Sequence, residues 1–209
     1  MASSGAKTNR PNQAAIRKLI LEKSESLMAR DGVERVSVRQ IAAEAGYSNN
    51  GLVAYYFGTK DALIQEIFRH RLGAIDKHRR ELLDEADARG ASMDLGTLVR
   101  VLCLPLIAQT NDEGQHSYAG FLAGLSSTRP IHLWQGIQSE IPATNEVLAR
   151  LRQLLPGDSH ERFHVRLEIA LGLIANTLNM IDSNAAGIDA ELAEKVINCT
   201  LSSITQIFK

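Results

Sequence analysis

The sequence predicts an all-α fold of about nine helices, a three-helix unit at the N-terminus followed by a larger helical domain. Two observations lead there. Apolar residues recur at three- and four-residue spacing along most of the 209 residues, and no stretch alternates apolar and polar side chains over strand length. Capping residues, glycines and prolines punctuate that pattern at helical intervals. A composition of 44% hydrophobic and 22% charged residues suits a globular chain with a real core.

Residues 1–12 hold Ser, Gly, Lys and Pro and are predicted to form a disordered basic arm. A first helix is predicted from about Asn12 to Arg30. Its buried stripe is Ile16, Leu19, Ile20, Leu27 and Met28, and Asp31-Gly32 ends it. The stretch Ser37–Lys60 then reads as two short helices joined by a tight turn. Ser37 is placed to cap the first of them, with Gln40 completing a capping box and Val36 and Ile41 forming a hydrophobic staple. Val38, Ile41, Ala42 and Ala45 follow helical spacing up to Gly46, which tolerates the left-handed conformation that ends helices. The second short helix is predicted from near Asn49 to about Tyr55. Two helices joined by a three- or four-residue turn containing glycine form a helix-turn-helix, whose second helix lies in the DNA major groove.

These residues resemble the DNA-binding segment of the TetR family of bacterial transcription regulators. The resemblance is carried by Val38-Arg39-Gln40-Ile41-Ala42, Ala45-Gly46 and Tyr55-Tyr56-Phe57-Gly58-Thr59-Lys60-Asp61-Ala62-Leu63, and it extends over roughly residues 14–70. The spacing from Gly46 to Phe57 is one residue longer than is usual in the family. In this longer form the Asn49-Asn50 pair is similar to a subgroup reading roughly RNNSAVQYHFGS. The resemblance implies that the latch tyrosine, Tyr55, and the lysine opening the next helix, Lys60, hold DNA phosphates, which position the protein without specifying sequence.

From the residues themselves, Asn49 and Asn50 are the candidate base readers, since an asparagine amide pairs bidentately with adenine. At least one of the two is expected to cap the helix instead. Gly51 allows close approach of the helix backbone, and Ser37 and Arg39 are further candidate DNA contacts, Arg39 being equally a plain solvated arginine. Leu52, Tyr56 and Phe57 are assigned to packing. Lys7 and Arg10 of the arm are either additional phosphate contacts or part of a solvated tail. Charge agrees with this layout. Residues 1–80 hold 14 Lys and Arg against 8 Asp and Glu, whereas residues 81–209 hold 9 against 16.

Beyond Lys60 a long helix is predicted to about Ala88, with Gly90 after its end. Leu63, Ile64, Ile67, Phe68 and Leu72 face the N-terminal unit, and the run Lys77-His78-Arg79-Arg80-Glu81 is expected to be exposed. A helix at about Asp94–Thr110 is expected to kink or break at Pro105. Further helices are predicted at Gln115–Ser126, at Ile131–Ser139, and from Pro142 to Pro156-Gly157. The last two, His160–Ser183 and Asp189–Phe208, are apolar on more than one face. The first carries Ile169, Leu173 and Met180 away from its main stripe. The second has a stripe at Leu192, Val196, Cys199, Ser203 and Ile207 and another at Ala193, Ile197, Leu201, Ile204 and Phe208. Two apolar faces need two partners, and a second copy of the chain, paired through residues 160–183 and 189–208, satisfies both. The domains are therefore expected at 13–60 for DNA binding and at 61–209 for effector binding and dimerisation.

Tyr118, Phe121, Trp134, Asn176, Asn179 and Met180 are candidate lining for a small-molecule pocket, each being equally an ordinary core residue. The resemblance implies an effector pocket somewhere among these helices. His160-Glu161-Arg162-Phe163-His164 matches the HExxH zinc signature, but it sits in a first helical turn where Glu161 reads as the partner of an Asp158 cap, and no third ligand is evident. Cys103 and Cys199 make no disulfide framework, and Asn198-Cys199-Thr200 has meaning as a glycosylation acceptor only in a secreted chain. No secretory signal and no membrane span are read, so a cytoplasmic protein without metal or cofactor is expected. The expected function is transcriptional regulation by a homodimer that represses from a pseudo-palindromic operator until a small molecule relieves it. A small-molecule-binding dimer with a degenerate DNA-binding unit, or a metal-dependent hydrolase using His160, Glu161 and His164, are the alternatives.

Overall fold

A computed structural model of the protein describes residues 13–49, 51–91, 93–126 and 138–209. They form nine α-helices and one short 3-10 turn, with no strand among the described residues. The arm at 1–12, Asn50, Trp134 and the Arg129-Pro130 breaker lie outside them, as does all of the helix expected at Ile131–Ser139 except its end at the turn Gln138–Glu140.

Helix α1, Gln13–Asp31, buries Ile20, Leu21, Leu27 and Met28. Helices α2, Val38–Glu44, and α3, Leu52–Phe57, follow, and then the 29-residue α4, Lys60–Ala88. Helix α4 starts at Thr59, whose hydroxyl accepts from the Ala62 N–H at 3.0 Å. It packs on α1 and α3 at one end and on α5, Leu95–Ile107, and α7, Pro142–Gln153, further along. Helix α6, Ser117–Ser126, lies between α1 and α8, His160–Ser183, and α8 pairs with α9, Ala190–Ile207. A single apolar core runs from Ile20 and Ile41 in the N-terminal unit through Phe68 and Phe121 to Ile204.

Helices α1 and α6 approach closely at Gly120. A Cβ added to Gly120 would lie 2.9 Å from the Cβ of Ala29 and 3.0 Å from Oδ1 of Asn179. Only glycine lets these helices meet at that distance. Beside this contact, Glu25 of α1 is buried and accepts two hydrogen bonds of 2.7 Å from Arg71 of α4, and Ser117 of α6 donates to it at 2.5 Å. Three helices thus share one buried carboxylate.

Several expectations need correction. Pro105 does not break its helix: α5 continues past it to Ile107, ending short of the expected Thr110. Helix α7 ends at Gln153, short of Pro156-Gly157. The cap of α8 is Ser159, which accepts from the Arg162 N–H at 3.2 Å, and not Asp158, whose carboxylate is drawn 2.6 Å from Arg166. The charged run at 77–81 is not uniformly exposed, since Arg79 is only 6% exposed. Its position follows Leu72 and Ile75 and precedes Leu83, all buried on one stripe of α4.

Part of the outer surface of α8, with Leu192 of α9, is apolar. Val165, Ile169, Leu173, Met180 and Leu192 are all exposed, while Phe163, Ala170, Ile174, Leu178, Leu201 and Ile204 point into the core. The two-faced pattern read from the sequence is therefore present, with one face unpartnered in the single chain.

Candidate nucleic-acid interface

The helix-turn-helix is held by short-range bonds that its sequence dictates. Ser37 and Gln40 form the reciprocal capping box: the Ser37 N–H donates to Oε1 of Gln40 at 2.8 Å, and the Gln40 N–H donates to the Ser37 hydroxyl at 3.3 Å. Val36 and Ile41 are both buried, as a staple requires. Helix α2 closes with Gly46 at φ 81°. Its N–H bonds the Ala43 carbonyl at 3.0 Å, and the Tyr47 N–H bonds the Ala42 carbonyl at 2.8 Å. These are the two bonds of a Schellman ending, which satisfy carbonyls the helix would otherwise leave orphaned.

Asn49 does not cap the helix: its Oδ1 accepts from the Gly51 N–H at 2.8 Å in a turn just ahead of it, and the N-cap is Gly51, with no side-chain cap bond. Helix α3 therefore starts at Leu52 and not at Asn49. It buries Val53 and Phe57 and turns Tyr55 outward, 73% exposed, with its ring edge-on to Tyr56 at 4.9 Å. Phe57 is the latch. The guanidinium of Arg17 lies 5.0 Å over its ring and pairs with Glu66 of α4, so α1, α3 and α4 are clamped together.

Ser37, Arg39, Asn49, Gly51 and Tyr55 are all exposed on this frame. Arg39 makes no hydrogen bond or ion pair among the described residues, which leaves its charge available. Lys60 is different: it is half-buried, and its Nζ donates to the Val33 carbonyl at 2.6 Å. In the free protein it ties α4 to the loop before α2.

The candidate pocket residues do not converge on one site. Tyr118 is buried and lines an apolar cavity of about 80 Å³ with Leu72, Ile75, Arg79, Leu102 and Leu106. Phe121 is fully buried in an aromatic cluster, 5.4 Å from Phe68 and 6.1 Å from Tyr118 between ring centroids. Asn176 and Asn179 border an open cleft of about 450 Å³ against residues 29–35 of the N-terminal unit. Met180 borders neither of these two cavities. It is 63% exposed because it falls between Leu178 and Ile181 on the turn of α8 that faces away from the core. Arg79 is buried although it lies within a charged run; its spacing from Leu72, Ile75 and Leu83 is the signal that marks it.

In the HERFH segment the Nε2 atoms of His160 and His164 lie 2.8 Å apart, and both rings and Glu161 are exposed. No group of three or more His, Cys, Asp or Glu able to hold a metal occurs among the described residues. Burial pushes the Cys103 thiol up to about 12, far from a nucleophile's range. No helix among the described residues is long and apolar enough to cross a membrane.

A capped, glycine-turned helix pair with exposed polar and basic side chains, clamped onto an all-α body, defines a helix-turn-helix DNA-binding protein. Residues 20–67 match the family described as bacterial regulatory proteins, tetR family. Among solved structures, a tetR-family transcriptional regulator from Streptomyces coelicolor aligns at 16% identity and a TM-score of 0.44, covering 95% of this chain and 85% of that one. A Pseudomonas aeruginosa PAO1 protein assigned as a transcriptional regulator aligns at 17% identity and a TM-score of 0.38, covering 99% and 100%. No curated protein matches the chain.

Proposed function

We propose that this chain is a TetR-family repressor that binds a pseudo-palindromic operator as a homodimer and is released by a small molecule. Residues 13–60 act as the DNA-binding domain, with 1–12 as a basic arm, and residues 61–209 bind the effector and pair the subunits. The observation that carries this reading is the exposure of Ser37, Arg39, Asn49, Gly51 and Tyr55 on a frame locked by the capping box and the Phe57 latch. Asn50 is assigned to base reading with Asn49, Tyr55 and Lys60 to phosphates, and Lys60 must release the Val33 carbonyl to reach one.

Pairing is assigned to residues 160–183 and 189–208, where Ile169, Leu173, Met180 and Leu192 need cover. Two recognition helices related by that axis would enter successive major grooves about 34–36 Å apart. Release works by linkage: a ligand that favours a spacing of the two DNA-binding units unsuited to the operator weakens binding. Two features support a mechanical path. Helix α4 spans both parts of the chain, and α6 is seated on α1 through Gly120 and Glu25, so a shift of α6 carries α1 with it.

The test is selection of genomic fragments by the purified protein, followed by footprinting. Two protected half-sites about one helical turn apart, on one or a few fragments, are expected. On that operator Tyr55→Phe should weaken binding to all DNA about equally, and Asn50→Ala should chiefly relax sequence preference. Fragments recovered at random, with no symmetric protection, would defeat the proposal.

A further inference from the structure

The cavity between α4, α5, α6 and α7 contains two polar groups with nothing to bind. The Nε–H of Arg79 and the hydroxyl of Tyr118 are buried and have no hydrogen-bond partner among the described residues. Leaving buried donors unpaired is costly, about 1–3 kcal/mol for a neutral group and more for a charged one. Arg79 spends its other nitrogens on neutral acceptors, donating from Nη1 to the Thr144 hydroxyl at 2.7 Å and from Nη2 to the Leu102 carbonyl at 2.8 Å. The nearby carboxylate, Asp76, is already taken by the Ala143 and Thr144 N–H groups and the Thr144 hydroxyl. Arg79 therefore has no carboxylate within ion-pair distance among the described residues, and burial pulls its pKa below the ordinary arginine value. Such a site asks for an anion.

The remaining walls set the rest of the ligand. Apart from Thr144, whose hydroxyl is already bonded to Arg79 and Asp76, they are aliphatic side chains such as Leu72, Ile75, Leu102, Leu106 and Leu122. The volume of about 80 Å³ is roughly half of the 150 Å³ that accommodates benzene in an engineered apolar cavity. We propose that this cavity binds a short aliphatic monocarboxylate, its carboxylate accepting from the Arg79 Nε–H and the Tyr118 hydroxyl and its alkyl chain lying among the leucines. The assignment rests on the reading of residues 61–209 as the effector domain, and it names the chemical class that domain recognises. Binding would place a carboxylate against the one unpaired N–H of Arg79, between α4 and α6, the two helices packed on α1.

The experiment titrates the purified full-length protein with sodium salts from acetate to octanoate, and with the matching amides and alcohols, at constant ionic strength. Thermal melting and calorimetry are the readouts. Acids of about three to five carbons should bind and raise the melting temperature. The matching amides and alcohols should bind at least about tenfold more weakly, since they cannot pair with the charge of Arg79. Tyr118→Phe should keep the unliganded melting temperature, because the hydroxyl it removes is unpaired, yet weaken butyrate about fivefold. Arg79→Met should abolish binding; should that variant fold poorly, Tyr118→Phe alone decides. Equal binding of acid and alcohol, equal binding to wild type and Tyr118→Phe, or no binding of any acid would each overturn the proposal. Operator binding measured on the same samples separates the two readings: it persists without ligand if only the carboxylate assignment fails, and is lacking if the regulator reading fails.

Discussion

Replacing Glu25 by glutamine should be among the most damaging single changes in the chain. The carboxylate is 1% exposed and takes two parallel bonds of 2.7 Å from Arg71, whose side chain is 13% exposed, besides the Ser117 hydroxyl. Glutamine keeps the shape but turns a donor toward a guanidinium and removes the charge that offsets it. Breaking a buried ion pair on one side costs about 3–5 kcal/mol. The low end applies here, because glutamine retains one acceptor and Arg71 keeps some contact with water. About 3 kcal/mol corresponds to a loss of roughly 6–12 °C in melting temperature for a chain of this size. Calorimetric melting of the wild type, Glu25→Gln and the double variant Glu25→Gln/Arg71→Met supplies the assay. The double variant should recover at least half of the loss, since no stranded charge remains. A single-variant loss below about 2 °C, or a double variant no better than the single, would refute the reasoning.

The other expectations are smaller or of a different kind. Ser37→Ala removes the cap of α2 and should cost about 1 kcal/mol, visible as a fall of about 2–4 °C in melting temperature. Ile169→Glu places a charge on the exposed apolar face of α8 and should convert dimer to monomer in sedimentation velocity with little change in the helical circular dichroism. Glu66 sits partly buried, which opposes its charge, but hydrogen bonds from Arg17 and Arg69 outweigh this and hold its carboxyl below the ordinary 4.5. Its contribution is therefore present above that pH and is lost as pH falls through the lower folded value. Acid titration of Glu66→Gln should show a shallower loss of stability below about pH 4.5 than the wild type.

What was legible in the sequence is what short-range chemistry decides. The capping box of Ser37 and Gln40, the Gly46 ending and the limits of α4 and α8 depend on residues within a few positions of one another. The double-faced character of α8 was equally readable, because Ile169, Leu173 and Met180 fall outside its main stripe, and they are exposed. The same feature leaves the partner of Met180 open: apolar character alone does not say toward which partner a side chain points. Asp158 and Ser159 are both capping residues in adjacent positions, and the choice between them is made by Arg166 from within the fold. Glu25 reads locally as one more charge on a helix. Its partners Arg71 and Ser117 lie 46 and 92 positions away. Arg79 was hidden by its charged neighbours, although its register with Leu72, Ile75 and Leu83 places it inside.

The most direct test of the reading as a DNA-binding dimer is operator affinity across a salt series, for the wild type and Arg39→Met. Arg39, a candidate DNA contact here assigned to a phosphate, is exposed on α2 and has no partner among the described residues, so its replacement should leave the fold intact. Each phosphate contact adds about one to the slope of log affinity against log salt, and a symmetric dimer uses every contact twice. A steep slope for the wild type, flattened by about two in the variant, is the expected result. Affinity that does not change with salt, or a variant slope equal to that of the wild type with unchanged affinity, would contradict it.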